Sequence, residues 1–107
     1  MTLTPEQAIK LAELGYDEEC DYYYNTVTNS YQEFSSSATV KYPSITDVLR
    51  WFRNKGYKYS IVPALLSDKV HFDLYGHTGI RRTDSWKEAE YRVMSELIEI
   101  EYDKTTQ

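Results

Sequence analysis

The sequence predicts an α+β fold: an antiparallel sheet of two hairpins with three helices, in the order α-β-β-α-β-β-α. Three observations carry that expectation. Thr4, Ser44 and Ser85 each stand three residues before a Gln, Asp or Glu able to close a capping box. Behind each of them, apolar residues recur at helical spacing. Between the second and third helices, residues 57–62 and 70–75 alternate in twos instead, as half-buried strands do.

The first helix starts at Thr4, with Pro5 placed where a missing N–H costs nothing, Gln7 reaching back, and Leu3 free to staple onto Ala8. It is expected to run through Leu14, stop at Gly15 with Tyr16 folded back toward Leu11, and dock through Ala8, Leu11 and Ala12. Residues 22–27 have the aromatic and β-branched character of a strand, 28–30 make a turn, and 31–34 return. The Ser35-Ser36-Ser37 tract is a flexible connector, and 38–42 is extended because Pro43 turns its predecessor away from helix.

Ser44 opens the second helix, whose buried stripe is Ile45, Val48, Leu49 and Phe52; Asp47 favours its positive end, and Gly56 stops it. Pro63 ends the following strand. The loop 64–68 is too short for a crossover, so 70–75 pairs antiparallel with 57–62. Gly76-His77-Thr78-Gly79 reads as a loop or turn. The third helix carries Trp86, Ala89, Val93, Leu97 and Ile100 on one stripe, with Tyr91, Met94, Ile98 and Tyr102 beside it. So wide an apolar sector fits a groove between the sheet and another helix, or leaves a strip for a homodimer through this C-terminal helix.

A chain of 107 residues fits one domain, 1–107, with a short helix and Tyr-rich hairpin over 1–42 and an αββα unit over 43–102. Apolar content of 41% and charged content of 27% argue against a disordered chain despite the net charge of -5. Eleven tyrosines are the compositional anomaly, rings that serve equally in packing and at binding surfaces. Cys20 stands alone and no leader pattern precedes the first helix, so a reducing cytoplasm is the expected setting. The longest apolar run, 62–66, contains Pro63 and is far too short to span a membrane, so no membrane partner is expected. Charge is uneven: residues 1–40 carry seven carboxylates against Lys10, whereas 41–92 carry ten basic and six acidic groups.

Four segments, Thr4-Pro5-Glu6-Gln7-Ala8, Leu14-Gly15-Tyr16-Asp17-Glu18-Glu19-Cys20, Pro43-Ser44-Ile45 with Trp51-Phe52-Arg53, and Asp84-Ser85-Trp86-Lys87-Glu88-Ala89-Glu90, carry a resemblance across most of the chain. Together they resemble small uncharacterised proteins carried by phages and mobile elements of gut bacteria. The resemblance implies an accessory protein acting on the host or maintaining the element. No activity attaches to that group, so no residue role carries over.

Three functional readings follow from the residues. The first is a non-catalytic protein-binding surface at the acidic elbow, Asp17, Glu18 and Glu19, with Tyr22 and Tyr24 as aromatic anchors. The second is nucleic-acid binding through Arg50, Arg53, Lys55, Lys58, Arg81 and Arg82, if these share a face. The third is a metal-dependent enzyme around His71 and Asp73, which alternate on one strand with Tyr75 and lie close to His77. Gly76 and Gly79 lack the strand-loop-helix surroundings of a phosphate loop, and the carboxylates around Cys20 disfavour its thiolate. No cofactor is expected.

Overall fold

The computed structural model describes residues 1–77 and 79–106, Thr106 by its backbone alone; Thr78 of the expected loop lies outside the described residues. Helix α1 (Pro5–Glu13) begins with the reciprocal box. Gln7 N–H donates to Thr4 Oγ1 at 3.2 Å, and Thr4 N–H to Gln7 Oε1 at 2.8 Å. It ends at Gly15, φ 89°, where the N–H of Gly15 bonds the carbonyl of Ala12 and that of Tyr16 the carbonyl of Leu11. That pair of bonds is a Schellman cap, and it folds Tyr16 into the core beside Leu11.

The first sheet has the order β2-β1-β3, from β1 (Tyr23–Asn25), β2 (Ser30–Gln32) and β3 (Thr39–Lys41), all antiparallel. Asn25 Oδ1 accepts the N–H groups of Val27 and Thr28 at 2.9 and 3.0 Å, and Asn29 takes φ 55°, so an Asx turn closes the hairpin. Helix α2 (Ile45–Asn54) is capped by Ser44, but Asp47 turns its carboxylate to Arg50 at 2.7 Å instead of completing a box. Gly56, φ 102°, ends it with a second Schellman pair, Gly56 N–H to Arg53 and Tyr57 N–H to Phe52.

The second sheet has the order β4-β5-β6, from β4 (Tyr59–Pro63), β5 (Val70–Leu74) and β6 (Arg81–Thr83). Its register sets Val62 beside His71 and His71 beside Arg82, with Ser60 beside Asp73. Each expected hairpin therefore gains a third strand. The extended 38–42 stretch supplies β3, and 81–83 supplies β6, so the order runs α-β-β-β-α-β-β-β-α.

Helix α3 (Trp86–Thr106) lies on the inner face of the second sheet and also takes contacts from α1 and α2. Most of both apolar stripes is used internally: Ala89, Val93, Met94, Leu97 and Ile98 are fully buried against Phe52, Phe72 and Leu74. Most of the apolar strip expected along this helix is thus taken up by the core. Trp86 is exposed because it is the first helical residue and burial begins only at Ala89, and Ile100 and Tyr102 are half-buried. Among the described residues, no helix is long and apolar enough to cross a membrane.

Candidate functional site

The acidic elbow is a tethered turn. Asp17 Oδ1 accepts the indole N–H of Trp51 at 3.2 Å, and the Glu18 carbonyl accepts from Lys41 Nζ at 2.8 Å. The Cys20 thiol donates to the Tyr22 carbonyl at 3.1 Å. Asp17 therefore joins the elbow to α2, while Glu18 and Glu19 stay exposed. Tyr24, expected as an anchor, is only 7% exposed; its ring packs on Tyr31 at 5.3 Å, and its hydroxyl donates to Asn29 Oδ1 at 2.9 Å. Tyr24 stands on the central strand, in the middle of the row Tyr31-Tyr24-Val40, so neighbours on both sides cover it and Val40 packs on the core. Tyr22 remains exposed, joined by Tyr31, which sequence reading missed as an anchor.

The basic residues do not share one face. Arg50 pairs with Asp47, Arg53 lies 4.6 Å over the ring of Tyr59, and Arg81 pairs with Glu96 of α3. Arg82 sits beside His71 on the second sheet. Lys55 and Lys58 come together, and they do so with Lys104, a residue distant in the chain. These three lysines line an open groove of about 510 Å³ with Gly56, Tyr57, Tyr75, His77 and Glu101.

His71 and Asp73 share the outer face of the second sheet as expected, lining a shallow pocket of about 230 Å³ with Ser60, Val62, Tyr75 and Ile80. Two strand positions separate them, about 7 Å along β5. His71 Nε2 is shielded and takes no hydrogen bond among the described residues, so Asp73 does not engage that nitrogen as an acid–base partner. Among the described residues no three His, Cys, Asp or Glu side chains gather where a metal ion could be held.

What this face does present is apolar surface. The tip of the β4–β5 hairpin carries Leu65 and Leu66, 95% and 96% exposed, and Val62 and Ile80 are exposed behind it. The tip is built rather than loose: Ala64 N–H bonds the Lys69 carbonyl at 2.9 Å, Lys69 N–H bonds Ser67 Oγ at 3.3 Å, and Lys69 pairs with Asp84. The signal was present in the 62–66 run, whose apolar letters are interrupted by Pro63 and followed by Ser67-Asp68. Leu65 and Leu66 lie in the turn beyond the end of β4 at Pro63, in neither strand nor helix, and have no core to enter. No protein-family profile matches the chain, and neither a curated protein nor a solved structure is found similar to it.

Proposed function

We propose that this protein is a non-catalytic accessory module that binds another protein through the Leu65–Leu66 knuckle and the uncovered face of the second sheet. The observation that carries the reading is two adjacent leucines, almost wholly in water, held out on a hydrogen-bonded hairpin. Burying both in a partner is worth about 1.5–3 kcal/mol each, enough to anchor an interface. The knuckle is convex, so the partner offers a concave apolar pocket.

Charge selects the partner class. The apolar centre is flanked by Asp73 and Arg82 on the sheet and by the Lys69–Asp84 pair at the tip, so both signs are present and neither dominates. Such a rim complements a protein surface. A duplex or an anionic membrane calls for a surface dominated by positive charge, which this face lacks. On this reading the partner belongs to the host or to the element, as the resemblance to small phage and mobile-element proteins implies.

The test compares wild type with the double variant Leu65→Asp/Leu66→Asp as bait, followed by calorimetry on any purified partner. Both positions are exposed, so the variant should melt like wild type, and the partner's affinity should fall by about a hundredfold or more. Equal recovery by both baits would refute the reading. So would wild-type binding to anionic vesicles with no protein partner.

A further inference from the structure

A second surface stands apart from the knuckle, at the opposite end of the same hairpin and about 20 Å from it. It is the groove where the C-terminus of α2, the start of β4, the turn after β5 and the last turns of α3 meet. The Schellman cap at Gly56 sets Lys55 and Tyr57 on its rim, and a ladder bond from Tyr75 N–H to the Lys58 carbonyl, 3.0 Å, sets Tyr75 beside Lys58. Neither Lys55 nor Lys58 has an ion-pair partner among the described residues. Lys55 Nζ lies 4.6 Å over the ring of Trp51.

The acid in the groove is already engaged. Tyr57 donates its hydroxyl to Glu101, and Lys104 Nζ donates to the same hydroxyl at 3.1 Å while lying 5.1 Å from the ring centroid. His77 packs against Tyr57 with centroids 5.8 Å apart. Tyr57 is therefore hemmed in by its neighbours, whereas Tyr75 is 52% exposed and has a ring free to stack. On α3, Glu96, Glu99 and Asp103 line the adjoining depression. Positive potential is thus confined to a short stretch, too short for the phosphate rows of a duplex and suited to very few phosphates.

We infer that the groove binds a nucleotide unit, with its base stacked on Tyr75 and its phosphates held by Lys55, Lys58 and Lys104. The unit can come from a single strand or from a free nucleotide, since both offer the same aromatic face next to the same anion. The inference does not depend on the leucine knuckle.

Calorimetry at low ionic strength, in the presence of a chelator, with ATP, a hexa-adenylate RNA and inorganic tripolyphosphate tests it. At least one of the two nucleotide probes should bind more tightly than tripolyphosphate. ATP alone would identify free nucleotide as the source, and hexa-adenylate alone a single strand. Tyr75→Ala should weaken binding by about tenfold or more, while Tyr75→Phe, which keeps the ring, should not. Removing Lys58 and Lys104 together should lower the salt slope for hexa-adenylate by about 1.4, or 0.7 per phosphate contact. Three results would overturn the inference: no binding of either nucleotide probe, tripolyphosphate binding as tightly as both, or equal losses for the Ala and Phe variants in proteins that melt like wild type.

Discussion

Tyr16 carries a hydroxyl into the core that finds no hydrogen-bond partner among the described residues, while its ring packs on Trp51 at 5.3 Å. Burial, reinforced by the nearby charges of Asp47 and Glu18, pushes its pKa well above the usual tyrosine range. The neutral form is therefore favoured in the folded state. Stability from this group is complete below pH about 10, where tyrosine in the unfolded chain begins to ionise, and is lost as pH rises beyond it. Each pH unit in that window should cost up to about 1.4 kcal/mol from this residue. Tyr16→Phe removes both the unpaired oxygen and the titration. We expect stability at neutral pH unchanged or raised by about 1 kcal/mol, and a shallower alkaline decline, read by urea melts from pH 7 to about 11. A large loss at neutral pH would mean that the hydroxyl is satisfied in solution.

At the scale of elements, the two glycine caps do more than stop helices. Each returns an aromatic residue to a chosen place: Gly15 puts Tyr16 in the core, and Gly56 puts Tyr57 at the groove. A Cβ on Gly56 would meet nothing within 4 Å, so the penalty of Gly56→Ala is the backbone's alone, at φ 102°. That penalty should be about 1–2 kcal/mol, visible as a lower melting temperature, and nucleotide binding should weaken as the rim shifts. Such caps were legible because they rest on a few adjacent letters, as did the alternation in β5, whose Val70, Phe72 and Leu74 all prove buried. For the third strands, the extended state of 38–42 was legible, but neither its pairing nor β6 was. A three-residue strand such as Arg81-Arg82-Thr83 is too short to display a period, and only its pairing with β5 defines it. The groove was half legible for a related reason: Lys55 and Lys58 are close in sequence, but Lys104 and Tyr75 join them through the packing of α3 and the turn after β5. Tyr24 was misplaced because three consecutive tyrosines do not declare which of them faces in.

Across the whole molecule, mass is unevenly held. The Cα radius of gyration is 14.8 Å, against about 13 Å for a compact chain of this length, and the extents are 49 × 31 × 19 Å. The elongation has a structural source. The main core of the second sheet and three helices is closely knit, whereas the first sheet meets the other elements chiefly where β3 packs on α1. Its strands have three residues each and contribute Tyr24 as their one buried apolar side chain. A three-stranded sheet with so little apolar cover cannot hold itself together and depends on that single seam. Tyr42 reinforces the seam by donating its hydroxyl to the Leu3 carbonyl. Local opening of the first sheet should therefore cost less than global unfolding, giving two tiers of amide exchange. We expect the ladder amides of the first sheet to be protected about a hundredfold less than those of Phe72 and Leu74, as measured by hydrogen exchange with residue-level readout. Tyr42→Phe should widen the gap by loosening the seam without touching the second sheet. Equal protection in both sheets would instead mean that α1 and β3 couple them into one cooperative unit, and the elbow at 17–21 would then move with the core rather than with the smaller sheet.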